Sequence, residues 1–248
     1  MDSVIKPDLW LDRLRSSLVA VDEARDSGDR EAVHTLRVAT RRIDAWLQLA
    51  GIRVFRDDLR RLRHAAGKVR DIDVARTREK LPPQVATWLD DEYPAAREEL
   101  VRAIRDESTG ALLEALRLLP PLLESDARLR LERIVRRVFR AGEHLEKADG
   151  DIGSLHRLRR RVKLLRYARE WLGERPRSLV RLQTALGELN DTAVLLKLLE
   201  LYPHPDAATH EFETRCHETI AAQQFSAVHV WSECERDLRE ESKRWIST

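Results

Sequence analysis

At 248 residues the chain is long enough to bury one large core or two small ones without disulfide staples. Its composition, 42% hydrophobic, 35% charged and 5% aromatic, excludes a membrane-embedded chain and points to long amphipathic helices. The formal net charge of +2 conceals 45 basic residues, and 38 of these are Arg, the side chain whose planar fork pairs bidentately with carboxylate or phosphate.

The two cysteines, Cys216 and Cys234, sit in no metal-ligand spacing, so a zinc site is not expected and a reducing compartment is. The N-terminal stretch has no apolar signal core, and no run approaches the roughly 18 apolar residues of a membrane span. The expectation is a soluble cytoplasmic protein with no membrane partner.

Apolar residues recur with helical period from end to end. A first helix is predicted over 8–26, with Leu9, Trp10, Leu14, Leu18 and Val21 on one stripe, broken by Asp26-Ser27-Gly28-Asp29. A second runs over about 30–50 and stops at Gly51, and a third covers about 56–67. Asp71 or a neighbour is read as the cap of a helix to Lys80. Pro82-Pro83 then turns the chain into a long helix to about Glu107. Further helices are predicted at about 109–118 and 121–147. Asp149-Gly150-Asp151-Ile152-Gly153 is the best boundary between halves, giving pieces of about 1–148 and 149–248. Beyond it the period predicts helices at about 154–172, 177–188, 191–201, 206–223 and 227–246. No alternating strand pattern is seen, and short connections favour antiparallel neighbours.

An internal repeat carries the functional argument. The segment His34-Thr35-Leu36-Arg37-Val38-Ala39-Thr40-Arg41-Arg42-Ile43 is echoed about 120 residues on by His156-Arg157-Leu158-Arg159-Arg160-Arg161-Val162-Lys163-Leu164-Leu165, and the two helices end at Gly51 and Gly173. Gly67-Lys68-Val69-Arg70-Asp71 is echoed in the same order by Gly187-Glu188-Leu189-Asn190-Asp191. Two matched segments in one order indicate a duplicated helical unit, with the halves facing each other about a pseudo-two-fold axis.

On a helix His34, Arg37 and Arg41 share one face, while Leu36, Ile43, Leu47 and Ala50 fall on the opposite, core face. His156, Arg159, Lys163 and Arg166 form the matching stripe, flanked by Arg160 and Tyr167. Residues 155–181 carry ten Lys or Arg against two acids, whereas 204–241 carry three against nine. One basic stripe alone reads equally as a solvated face or as partners for the acidic helices. Keeping the spacing twice, against the repulsion of like charges one turn apart, points to an anion that compensates them. Rows of phosphates on a polymer match rows of cations on a helix, and such binding weakens with salt.

These residues resemble a known family. The run His34 to Arg42 is similar to the signature of the CHAD domain, the conserved histidine α-helical domain, and Leu155 to Tyr167 is similar to its second-half signature. Gly67-Lys68-Val69-Arg70-Asp71-Ile72-Asp73-Val74 and Leu186-Gly187-Glu188-Leu189-Asn190-Asp191 resemble the motif that follows in each half. The resemblance covers roughly residues 8–201. It implies a single domain over 1–248: an all-α fold of two antiparallel helical bundles about a basic central groove or pore that binds inorganic polyphosphate. It also implies recruitment to polyphosphate granules. Carried onto this chain, the ligands would be His34, Arg37, Arg41, Arg42, His156, Arg159, Lys163 and Arg166. Arg63, Arg70, Arg160 and Arg181 would adjoin them, and Arg133, Arg137 and Arg140 would line the groove. One departure is Asp44, where a further basic residue is usual. Pairing of Asp44 with Arg37 or Arg41 would leave more of the binding to the second half.

No catalytic residue, cofactor or metal is expected. The Glu211-Phe212-Glu213-Thr214-Arg215 string imitates a tunnel-enzyme motif but lies in helical surroundings, and no phosphate-cradling Gly-rich loop or nucleophile elbow occurs. Asp71, Asp73 and Asp191 suit helix caps better than metal ligation. Trp46, Trp171 and Trp231 read as core. The alternatives are an RNA- or DNA-binding protein using the same faces, which the few aromatics disfavour, a phosphate hydrolase, or a helical adaptor with unpaired faces at 206–246 that could form a homodimer.

Overall fold

A computed structural model describes residues 2–24, 30–147 and 151–246. The predicted break at 26–29 and part of the predicted boundary at 149–153 lie outside the described residues. The chain divides into two compact units, Met1–Arg130 and Leu131–Thr248, which part inside a helix.

Among the described residues the first unit contains helices α1 (Asp8–Glu23), α2 (Arg30–Ala50), α3 (Arg56–Arg76), α4 (Pro83–Arg105) and α5 (Glu107–Arg117). It also contains the first turns of α6 (Glu124–Lys147). Each helix from α1 to α4 packs on the next. Asp44 meets Arg56 near the α2–α3 turn while Arg37 reaches Ala66 further along, so α2 and α3 run antiparallel. The inner side of the seam is apolar: Leu36, Ile43 and Leu47 of α2 are buried as expected, as are Leu59, Leu62 and Val69 of α3, while Ala50, expected with them, is only partly buried. Burial of such faces at about 25 cal/mol per Å² is what holds helices that would be marginal alone.

The second unit contains the rest of α6, α7 (Ile152–Trp171), α8 (Arg177–Leu199) and α9 (Ala207–Ile246). α8 packs on both α7 and α9. Gly142 of α6 makes room for the Trp231 indole of α9: a Cβ there would stand 1.9 Å from the ring. Trp46 and Trp231 are fully buried, whereas Trp171 is half-buried.

The structure corrects the expected elements in several places. The helices predicted at 56–67 and 71–80 are one helix, α3, ending at Arg76. Those at 177–188 and 191–201 are one helix, α8, and those at 206–223 and 227–246 are one helix, α9. Gly67 and Gly187, which lie at or next to the predicted breaks, are in helix interiors. An interior glycine costs about 0.5–1 kcal/mol relative to alanine, which packing on flanking turns outweighs. Asp71, Asp73 and Asp191 are therefore interior residues and cap nothing. Leu9 is 59% exposed, and Leu11 takes its place in the α1 stripe. A short antiparallel strand pair also appears, β1 (Val4–Ile5) on β2 (Leu122–Leu123), tied by Trp46 Nε1 donating to the Ile5 carbonyl at 3.2 Å.

The repeat is visible in local geometry. Gly51 and Gly173 end α2 and α7 in the left-handed region, at φ +76° and +77°. In both turns the next amide bonds back five residues, Ile52 N to Leu47 O at 2.8 Å and Glu174 N to Arg169 O at 3.0 Å. These are glycine-terminated Schellman ends.

Candidate functional site

In the first unit Arg37, Arg41 and Arg70 gather about His34 along the α2–α3 seam. His34 lies among the guanidinium groups of Arg70, Arg37 and Arg41. Partial burial is the main cause of its lowered pKa; repulsion from those three groups lowers it further, against the opposing pull of Glu31. Arg37 crosses to α3: its Nη1 donates to the Ala66 carbonyl at 3.3 Å and stands 3.9 Å from Asp71 Oδ1. Its side chain is only 15% exposed, so the guanidinium is held rather than sweeping solvent.

Asp44 does not pair with Arg37 or Arg41 as expected. Its carboxylate accepts from Arg56 Nε at 2.7 Å and from Gln48 Nε2 at 3.2 Å, with Arg63 Nη1 at 4.0 Å. The charge at 44 therefore acts on α3, toward its start. Arg42 turns toward α1, where it stacks on Trp10 at 4.3 Å while Arg13 stacks on the same indole at 4.5 Å. Beyond Arg70, Asp73 is 1% exposed and 3.3 Å from Arg30 Nε; burial raises its pKa, opposed by Arg30, Arg70 and Arg76.

In the second unit His156 occupies the matching place on the α7–α8 seam. Its Nδ1 and Asn190 Oδ1 share a hydrogen bond of 3.2 Å, with the imidazole N–H donating to the amide oxygen. Partial burial lowers its pKa most, Arg159, Arg160 and Lys197 lower it further, and the Asn190 bond opposes them. Lys163 follows one turn after the Arg159-Arg160 pair on α7.

Other expected ligands have carboxylate partners or lie exposed on other helices. Arg166 Nε is bound to Glu170 at 2.6 Å. Arg181 is paired with Glu233 of α9. Arg133, Arg137 and Arg140 are exposed on α6, a helix that meets α9 through Gly142 with Trp231 and Phe139 with Arg239. Conversely, Lys197 was not foreseen. It lies two turns beyond Asn190 on one face of α8, so the signal was a seven-residue spacing from a residue already singled out.

Each seam, taken by itself, has the charge and the directed N–H donors suited to an anion. Among the described residues no group of three or more His, Cys, Asp or Glu side chains could hold a metal ion, and no helix is long and apolar enough to cross a membrane. The model of the CHAD domain matches residues 10–200. The chain belongs to the CHAD domain family. The structure of the CHAD domain from the plant Ricinus communis is similar at 22% identity, covering 97% of this chain and 91% of that one with a TM-score of 0.64. PptA from Streptomyces chartreusis is similar at 16% identity, covering 94% and 99%, with a TM-score of 0.67. At these identities the likeness establishes a shared fold. No curated protein matches. In CHAD terms, the two histidines of the repeated signatures are the residues around which each unit gathers its cations.

Proposed function

We propose that the protein binds inorganic polyphosphate through the basic α2–α3 and α7–α8 seams, performs no turnover on it, and is recruited by it to polyphosphate granules. The observation that carries this reading is the crowding at the two histidines. Each imidazole is kept below its ordinary pKa partly by cations converging on it. Convergence of like charge is unfavourable in the free protein and is relieved by an anion with closely spaced charges. Polyphosphate presents such charges in a row, and Arg and Lys take them by charge-assisted hydrogen bonds. Membership of the CHAD family supports the same ligand class.

The test is retention on immobilised polyphosphate across a salt series, with RNA as competitor. The reading expects binding that falls steeply with salt and that RNA displaces poorly. Binding displaced equally by RNA at physiological salt would favour a general nucleic-acid role, and no retention of either would leave a helical adaptor. Phosphate release with Mg²⁺ or Mn²⁺ is expected to stay at background. Changing His156, Arg159 and Lys163 to Ala together should weaken retention while the circular dichroism of the fold is unchanged.

A further inference from the structure

The two seams share a glycine at the same repeat position, and the two glycines meet different surroundings. A Cβ added at Gly67 would stand 3.1 Å from Arg37 Nη1, tight enough that the guanidinium would have to shift by a few tenths of an ångström, whereas a Cβ added at Gly187 would meet nothing within 4 Å. Both glycines sit in helix interiors, where alanine is the better residue. Neither has the left-handed backbone that would require glycine. Gly67 therefore weakens its helix without a conformational reason, and the atom its missing side chain makes way for belongs to Arg37.

We infer that Gly67 is a positioning residue: by presenting bare backbone it lets the Arg37 guanidinium cross the α2–α3 seam and dock on the Ala66 carbonyl beside Asp71, fixing a polyphosphate-binding cation in advance of the ligand. Two contacts and one space converge on the same nitrogen: Ala66 O at 3.3 Å, Asp71 Oδ1 at 3.9 Å and the place a Cβ would take on Gly67. Docking in advance removes part of the side-chain entropy that binding would otherwise cost. The inference rests on the reading of Arg37 as a ligand of the polyanion. It assigns the two seams different devices: a docked guanidinium in the first, an amide-bound imidazole in the second.

The experiment is a matched set of full-length variants, Gly67→Ala, Gly187→Ala, Arg37→Lys and Gly67→Ala with Arg37→Lys. Affinity for polyphosphate of defined length is measured by calorimetry and folding by thermal melting. Gly67→Ala is expected to weaken binding by about threefold to tenfold, of the order of one impaired charge-assisted hydrogen bond. Gly187→Ala is expected to keep wild-type affinity and to melt about 2–4 °C higher, because alanine suits the helix interior. In the Arg37→Lys background Gly67→Ala should add no further loss; a glycine with a merely structural role would add its loss in either background. Wild-type affinity in Gly67→Ala while Arg37→Lys is weakened would overturn the inference and leave the binding reading intact. Equal losses in both glycine variants would also overturn it, since seam width and not Arg37 would then be at issue. An Arg37→Lys protein that binds as wild type would remove the binding role of Arg37, and the inference with it.

Discussion

The α2–α3 and α7–α8 seams share a histidine signature, a glycine-ended helix and an interior glycine, yet they differ in what the second helix brings. α3 carries Arg63 and Arg70 where α8 carries Gln183 and Asn190 at the repeat-equivalent positions. Arg70 repels His34, whereas Asn190 accepts a hydrogen bond from His156. Asp44, which on sequence grounds would weaken the first seam, is occupied by Arg56 and lies at the limit of reach of Arg63, while its repeat counterpart Arg166 is held by Glu170. A duplicated backbone can thus keep its turns while redistributing charge: the first seam concentrates cations on both helices, and the second draws them mainly from α7 with Lys197 added from α8.

That difference predicts unequal losses. Changing His34, Arg37 and Arg41 together to Ala should reduce polyphosphate affinity by about 100-fold, and the same treatment of His156, Arg159 and Lys163 by about tenfold, each charge-assisted contact being worth about 1.5–3 kcal/mol before compensation. Calorimetry on both triple variants at one salt concentration decides the order. A larger loss from the second triple would restore the expectation that the second half dominates.

A smaller effect separates the two helix ends. Gly51→Ala and Gly173→Ala both force alanine into the left-handed region at a cost of about 1 kcal/mol. Gly51 also faces Arg130, whose Nε would lie 2.9 Å from a new Cβ and whose Nη1 donates to the Leu49 carbonyl at 3.2 Å. Denaturant unfolding should therefore show a loss of about 2 kcal/mol for Gly51→Ala and about 1 kcal/mol for Gly173→Ala. Equal losses would mean that Arg130 yields freely.

The smallest effects are in pH dependence. The fold holds both imidazoles below their ordinary pKa. As pH falls through about 6.5 the unfolded chain takes up protons first, so the free protein loses stability on acidification, and the loss is complete below the folded values. Above that window the contribution is constant. His34→Gln or His156→Gln should each make the pH–stability curve shallower, by less than about 1 kcal/mol. Asn190→Ala should lower the pKa of His156 further and leave His34 unmoved.

Much of this was legible in the sequence. The helical period located α2 residue for residue, because the glycine stop at Gly51 and the apolar spacing agree there. It split α3 and α8, because glycine and aspartate are local stop signals that packing on both sides overrides, and it split α9 at Gln224-Phe225-Ser226, where Phe225 stands off the buried face at 81% exposure. The repeat exposed the cation stripes of α2 and α7, since spacing along one helix fixes which residues share its face. What lay across the seam was not legible. The pairing of Asp44 with Arg56, the Asn190 bond to His156 and the approach of Lys197 depend on helix register and side-chain reach, which period alone does not set. Two-residue strands such as Val4–Ile5 carry no period at all.

The most direct test is a titration of the His34 and His156 imidazoles by nuclear magnetic resonance, with and without polyphosphate. Both are expected to titrate below the ordinary histidine value in the free protein and to move upward together when the polyanion binds. Two imidazoles whose titration is unchanged by saturating polyphosphate would contradict the assignment of the anion to these seams.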